Sequence, residues 1–494
     1  MTGDDTMTPR RSTLSEKALL EVPMIRRVHA LATQAGGQAW LVGGAVRDWL
    51  LTGALPQDLD FTLIDCKADL LAKILADEGA GTGPGHLVPL DWDFGIHRVV
   101  FDAPKNSEAL TVDLSDALEN NLETDLARRD LTMNAMALDL QSGELIDPFA
   151  GQTDLRDKRI RMVSEANLLD DSLRMLRVFR FAAAIQAEEI DPATLETIRR
   201  HGANIWNSAA ERIQYELFRF LSVERCFPYM QIMADCGLLE VIVPDLATLR
   251  TIPASGFHHL GLFEHTLELV RQSESLIAEC PPETQEWLRQ PFTPSVTRFG
   301  LVKLACLLHD IGKPATLGRK QDPVHGERLT FYGHEEVGEA MSDEWLRRMK
   351  AGNEVRTYLK KLVRWHLYPC QFGPDSPRKS VLRFYRRMGA ETPDVVLLAL
   401  SDRHSATGPW LDPADLEKSH SDHLWLLENY RQEQSVLTVP RLLNGRDIMD
   451  TLTVGPGPHL KEILDALYEA QQLGEVHSIE EAKAWVMFRY GPSS

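Results

Sequence analysis

Leu41-Val42-Gly43-Gly44-Ala45-Val46-Arg47-Asp48, followed ten residues on by Asp58-Leu59-Asp60-Phe61-Thr62-Leu63-Ile64, is the stretch on which the fold turns. The short apolar run from Ala39 to Val42 predicts a strand, the glycine pair a turn, and Ala45 to Leu51 a helix. Asp58 to Ile64 alternates polar and apolar residues for most of its length, as a strand does. Upstream, Pro23 opens a helix whose apolar face carries Met24, Ile25, Val28, Leu31 and Ala32. Downstream, Arg98 to Phe101 and Leu110 to Leu114 are further strands. From Leu168 the pattern becomes helical, as in Asp171 to Ile185 and Ala210 to Leu221. Pro244, Pro253 and Gly256 mark one boundary, and Pro409-Trp410-Leu411-Asp412-Pro413 another. The expected division is a polar tail over 1–18, an α/β head over 19–150 and a helical neck and body over 151–250. An all-α domain over 251–407 and a C-terminal helical region over 408–494 complete it.

The 494 residues, 44% hydrophobic and 25% charged, fit several folded domains and exclude a disordered chain. A balance of 53 basic to 72 acidic residues excludes whole-surface attraction to nucleic acid, so any such contact is regional, and no DNA partner is expected. The six cysteines stand far apart with no C-x-x-C pair, which argues against a zinc ribbon or a disulfide framework and for a reducing, cytoplasmic setting. No uncharged stretch reaches the roughly 20 residues of a membrane span.

Residues i and i+2 of a strand share a face, so Asp58 and Asp60 set two carboxylates side by side, where repulsion is costly unless a cation lies between them. Carboxylates plus substrate phosphates suit Mg²⁺, and a glycine turn at a helix start lets backbone N–H groups approach a phosphate. Arg47, one turn into the helix, is within reach of a triphosphate. Taken alone, Gly43-Gly44 reads as an ordinary tight turn and Asp58-Leu59-Asp60 as a solvated strand edge. Their succession is what points to chemistry.

This run resembles the class II nucleotidyltransferases, the bacterial tRNA CCA-adding enzymes and poly(A) polymerases. The resemblance continues through Arg128-Arg129-Asp130-Leu131-Thr132-Met133-Asn134-Ala135-Met136-Ala137, Asp147-Pro148-Phe149 and Asp171-Ser172-Leu173-Arg174-Met175-Leu176-Arg177. It implies that Asp58 and Asp60 bind Mg²⁺, with Asp113 as a third acidic position, and that Gly43, Gly44 and Arg47 hold a triphosphate. It further implies that Arg129, Asp130 and Asn134 serve the nucleotide and its ribose. The spacing of Asp171, Arg174 and Arg177 reads as one helix face. A carboxylate accepting from the exocyclic amine of cytosine or adenine, beside a guanidinium donating to ring acceptors, favours C and A over G and U. The implied activity is addition of C and A from CTP and ATP to tRNA 3′ ends with release of pyrophosphate. Only 14 residues, Leu114 to Ala127, separate Asp113 from Arg128. A longer flexible loop is usual there in full CCA-adding enzymes, so a CC-adding specialist is an alternative, as is a poly(A) polymerase.

In the second half, Leu307-Leu308-His309-Asp310-Ile311-Gly312-Lys313-Pro314 puts a polar pair at the end of an apolar helix, where a metal would satisfy it. With His265, His334 and Asp402, the order resembles the HD phosphohydrolase superfamily, with His366 a candidate further ligand. Imidazole and carboxylate donors suit Mn²⁺, Ni²⁺, Fe or Mg²⁺. The resemblance implies a metal-dependent phosphatase or 2′,3′-cyclic phosphodiesterase, and phosphohydrolysis as the main activity is the rival reading.

Between Arg347 and Arg387, 12 Lys or Arg stand against Glu354 and Asp375, interleaved with Tyr358, Trp365, Phe384 and Tyr385. This mixture predicts phosphate contact with some stacking, as against a pair of solvated amphipathic helices. Arg156, Lys158, Arg159 and Arg161 form a smaller basic cluster.

Overall fold

The computed structural model describes every residue except 1–14, 80–82, 90–94, 103–108, 257–258, 325 and 492–494. Most of the expected polar tail therefore lies outside the described residues. Its end is a short helix, α1 (Glu16–Leu20), capped by the Ser15 hydroxyl. The chain divides into two compact units, one running to Phe220 and resuming over Pro228–Ile242, the other formed by Leu221–Phe227 and Val243 onward.

The first unit is built on a seven-stranded sheet of order β3-β4-β5-β2-β1-β6-β7. Its strands are β1 (Gln38–Val42), β2 (Asp58–Ile64), β3 (His86–Pro89), β4 (Ile96–Phe101), β5 (Leu110–Asp116), β6 (Ala137–Asp139) and β7 (Leu145–Ile146). All neighbours are antiparallel except β2 and β5, which run parallel with Asp60 opposite Asp113. Helix α2 (Pro23–Gln34) starts at the expected proline and buries the five expected apolar residues. Helix α3 (Gly43–Thr52) follows β1 directly, and α4 (Ala68–Glu78) buries Leu71, Ala72 and Leu75. Leu59, Phe61 and Leu63 are buried on one face of β2, so Asp58, Asp60 and Thr62 share the other.

Beyond the sheet, the helices Arg174–Ile185 and Ala210–Leu221 carry the first unit's helical part. One expectation fails here. Asp171 is not on the helix with Arg174 and Arg177 but in extended backbone just before it (φ −132°, ψ 99°). Its carboxylate accepts from the Leu173 N–H, the local side-chain turn that aspartate forms in competition with helix.

Among the described residues the second unit is helical apart from two short hairpins, Pro291–Thr293 with Val296–Thr297 and Gly318–Asp322 with Gly326–Thr330. Its main packing joins helices Leu262–Leu276, Arg298–Leu308, His334–Arg348, Asn353–Trp365 and Thr392–Ser405. The last part of the chain has its own apolar cluster, which includes Leu443, Ile448, Leu467, Val476 and Val486.

Candidate active site and second metal-binding cluster

A cavity of about 830 Å³ in the first unit is lined by Gly43, Gly44, Arg47, Asp58, Asp60, Asp113, Arg129, Asp130, Asn134, Asp171, Arg174 and Arg177, all twelve residues proposed for the transferase site. Gly43 sits at φ +63°, and a Cβ there would lie 2.5 Å from an Arg129 nitrogen. A Cβ on Gly44 would meet the Asp60 carboxylate at 3.2 Å. The glycine pair is thus what lets the acidic strand and Arg129 approach the start of α3.

Burial, then the neighbouring carboxylates of Asp113 and Asp58, pushes Asp60 up to about 6 against the pull of Arg129 and Arg47. Such crowding of acids is relieved by a cation, and the donor set is the all-oxygen one that Mg²⁺ takes, so these residues fit that ion. Asp113 is already engaged, since Arg98 on β4 donates to both of its oxygens at 2.8 and 2.7 Å.

Arg47 donates to the Asn134 side-chain oxygen at 2.7 Å and to Asp48 at 2.8 Å. Asn134 in turn donates to Asp130 at 2.9 Å. Asp130 also accepts from the Leu131 N–H and from Arg177 Nε, both at 2.8 Å. Although burial works to raise it, Arg177 and these hydrogen bonds hold Asp130 well below the usual carboxylate range. Arg177 also faces Glu216 at 3.6 Å, and Glu216 pairs with Arg180. Arg177 therefore supports Asp130, whereas Asp171 and Arg174 stand at the cavity wall. Asp171 accepts from Arg212 at 2.8 Å, and Arg174 donates to the Arg128 and Asn167 carbonyls at 2.8 and 3.0 Å.

Several supporting residues escape sequence reading. Buried Asp125 takes Arg128 and Arg129, and the Thr62 hydroxyl donates to it at 3.2 Å, so Arg129 is aimed from the same face of β2 that carries the acids. Asp147, the first residue of the Asp147-Pro148-Phe149 motif, accepts from the Gly151 and Gln152 N–H groups and serves as a local cap.

In the second unit, His265, His309, Asp310, His334 and Asp402 come together from widely separated stretches, joined by His366. His309 and Asp310 lie just past the helix Arg298–Leu308, His334 begins one helix and His366 ends another. His309, His334 and His366 each donate Nδ1–H to a backbone carbonyl at 2.8 Å, those of Cys306, Phe331 and Val363. A carbonyl only accepts, so Nε2 is the nitrogen left to face the centre. Asp310 Oδ2 lies 3.0 Å from His309 Nε2 and 2.5 Å from Lys313 Nζ, yet His309 Nε2 and both Asp310 oxygens lack a well-formed hydrogen bond. Burial, then the neighbouring His309, pulls His366 down to about 4. Buried donors of this kind, turned inward and poorly satisfied, fit a divalent metal.

The basic stretch over 347–387 departs from expectation. Tyr358, Phe384 and Tyr385 are buried, with the Tyr358 and Tyr385 hydroxyls bonded to Asp394 and to the Leu426 carbonyl. These three are core residues and no stacking surface, whereas Trp365 is half-buried with the Arg387 guanidinium over its ring. Many of its cations pair with acids outside the stretch, such as Arg364 with Glu336, Lys361 with Glu391, and Arg383 with Glu469. In the smaller cluster, Arg156, Arg159 and Arg161 pair with Asp157, Glu189 and Asp154.

Residues 39–161 match the poly A polymerase head domain, 189–249 the probable RNA and SrmB-binding site of polymerase A, and 262–407 the HD domain. An A-adding tRNA nucleotidyltransferase of Deinococcus radiodurans is 33% identical over 94% of this chain and 98% of its own. A CC-adding tRNA nucleotidyltransferase of Thermus thermophilus is 34% identical over 92% of this chain and 94% of its own. The fold matches the Bacillus stearothermophilus CCA-adding enzyme, solved in complex with CTP, with a TM-score of 0.61 at 22% identity over 94% of this chain and 95% of that one. With a head, a helical part and an HD region that align over nearly the whole length of such relatives, the chain belongs to the tRNA nucleotidyltransferase family.

Proposed function

We propose that the protein extends the 3′ end of tRNA with C from CTP and A from ATP, releasing pyrophosphate, and that the cavity on the acidic strand is where it does so. The observation that carries this reading is the meeting of Asp58 and Asp60 with the Gly43-Gly44 turn, Arg47 and Asp130 in one cavity. Asp58 and Asp60 would hold Mg²⁺, with Asp113 beside them. That ion supplies charge neutralisation for the phosphates and eases deprotonation of the attacking hydroxyl. Backbone N–H groups of the glycine turn and the Arg47 guanidinium receive the triphosphate, while Arg129, Asp130 and Asn134 hold the ribose. Asp171 accepts from the exocyclic amine that cytosine and adenine share, Arg174 donates to the ring, and Arg177 keeps Asp130 ionised.

Relatives named both A-adding and CC-adding keep the number of nucleotides a matter for direct measurement. Transcripts lacking the CCA terminus, and transcripts already ending in CC, are to be incubated with each triphosphate separately and together. Three added residues are expected on the first. Two indicate a CC-adding specialist, one only on the second an A-adding enzyme, and a long tail of A on any RNA a poly(A) polymerase.

The HD cluster supports a second reaction, metal-dependent hydrolysis of phosphate esters, with Mn²⁺, Ni²⁺, Fe or Mg²⁺ held by His265, His309, Asp310, His334 and Asp402. All six cysteines are free, and no described helix is long and apolar enough to cross a membrane, which suits work in the cytoplasm. The division into a head to about 150, a helical part to about 250, an HD domain to about 407 and a C-terminal region is part of the same reading.

A further inference from the structure

We propose that Tyr215 and Arg219 seat the 3′-terminal nucleotide of the RNA being extended, Tyr215 stacking on its base and Arg219, backed by Arg180, holding its phosphate. This rests on the transferase reading, which lays the incoming nucleotide along the glycine turn, Asp130 and Asp171 and so leaves one wall of the cavity without an occupant. That wall is the helix Ala210–Leu221, whose Arg212, Tyr215 and Arg219 follow one another at spacings of three and four and all line the cavity. Arg212 is tied to Asp171 at 2.8 Å, so the row starts beside the base-reading acid. One turn on, Tyr215 is 48% exposed, a large ring left open although Ile213, Leu217 and Phe218 around it are buried.

The charge on this wall calls for an anion. Buried Phe181 carries three guanidiniums over its ring, Arg47 with its Cζ 4.6 Å from the centroid, Arg177 at 5.2 Å and Arg180 at 4.1 Å. Arg47 and Arg177 are engaged elsewhere, on Asn134 and Asp130. Arg180 has no such task. It faces the buried Glu216 at 2.6 Å, yet its Nε lacks a well-formed hydrogen bond. Burial, and after it Arg177, Arg219 and Arg47, weigh against its charge although Glu216 favours it. Arg219 is exposed and has no carboxylate in ion-pair reach among the described residues. A phosphate at this end of the cavity supplies the negative charge that Glu216 alone leaves short. An aromatic face beside such guanidiniums is how single-stranded RNA is held, by stacking and phosphate contact. The reaction needs that strand's end beside the acids, since its hydroxyl attacks the bound triphosphate. Every base has a π face, so a stacking seat accepts each new end as the strand grows.

The test is steady-state kinetics of the full-length protein on tRNA transcripts ending before CCA or in CC, whichever it extends. Tyr215→Ala should raise KM for the transcript about tenfold or more and leave KM for the triphosphate unchanged, and Tyr215→Phe should keep the normal value. A transcript whose last residue is abasic should lose the same factor with the unaltered protein and nothing further with Tyr215→Ala. A methylphosphonate at the last phosphodiester should weaken binding to the unaltered protein and to Arg219→Lys, and should have no effect on Arg219→Ala. A rise in KM for the triphosphate in place of the transcript gives these residues to the incoming nucleotide and overturns the proposal. Unchanged constants, or losses from the abasic end and from Tyr215→Ala that simply multiply, overturn it as well. If the unaltered protein extends no transcript, the transferase reading fails, and the affinities of the same ends measured without triphosphate still decide whether Tyr215 and Arg219 hold them.

Discussion

The two clusters of acids in this molecule solve one problem in opposite ways. In the transferase cavity three carboxylates have a guanidinium bonded to them, Arg98 for Asp113, Arg177 for Asp130 and Arg212 for Asp171, whereas Asp58 and Asp60 are the least compensated pair. In the HD cluster Asp310 and Asp402 are surrounded by imidazoles, with Lys313 the cationic side chain in contact. The first arrangement makes a polar cleft in which one pair of acids lacks a bonded guanidinium and fits a cation. The second makes a buried set of imidazole and carboxylate donors that fits a divalent metal. Arginine cannot be deprotonated and offers no lone pair, so it compensates without ligating, whereas imidazole does the reverse.

The largest effect should come from breaking either centre singly. Asp60→Asn should lower nucleotide incorporation by about 10³-fold or more while leaving phosphate-ester hydrolysis unchanged, and His309→Ala should do the opposite. Paired assays on one preparation of each variant check this, and parallel loss of both activities would merge the two sites. Next, Asp130→Asn removes the buried carboxylate on which Arg177, Asn134 and the Leu131 N–H converge, while Arg177 keeps Glu216, so the first unit should lose about 2 kcal/mol by denaturant unfolding. Its KM for the triphosphate should also rise more than kcat falls.

A smaller effect follows from the raised pKa of Asp60. An acid whose folded pKa lies above its unfolded value resists ionisation, so stability is lost as pH rises through about 4 to 6 unless a cation takes the proton's place. Apparent Mg²⁺ affinity, measured by titrating the transferase reaction, should therefore fall about tenfold per pH unit below 6 and level off above it. The smallest concerns an acid compensated wholly by cations. Glu469, facing Lys379, Arg383 and Arg386, is lowered to about 2 although burial works against this. Its contribution is present above about pH 4.5 and is lost as pH falls toward 2. Glu469→Gln should cost about 1–2 kcal/mol at neutral pH and nothing at pH 2, by thermal melting across that range.

What could be read in the sequence was what short spacings express. Period two put Asp58 and Asp60 on one face, the β2 boundaries came out as Asp58 and Ile64, and the adjacency of His309 and Asp310 marked the second centre. Asp125 carried no signal although Arg128 and Arg129 stand three and four residues on, and the long-range pairings were not legible even where both partners were named. Thr62 meets Asp125 63 residues away, and Arg177 meets Asp130 47 residues away. No local pattern distinguishes such an aspartate from a surface one. The same limit explains the basic stretch over 347–387, whose charge was plain but whose acidic partners Glu336, Glu391 and Glu469 lie outside it. Asp171 was misplaced for a local reason, since a spacing of three fits a helix face and equally a residue that halts just before the helix.

The parallel pairing of β2 with β5 has an evolutionary corollary. Because Asp60 and Asp113 are aligned by backbone hydrogen bonds, and Arg98 is aligned with Asp113 in the same manner, the geometry of the acids is inherited from strand pairing and not from the connecting segments. Insertions between the strands can drift freely. One residue gained or lost inside Leu110–Asp116 would instead turn Asp113 to the opposite side of the sheet and strand Arg98 without its mate.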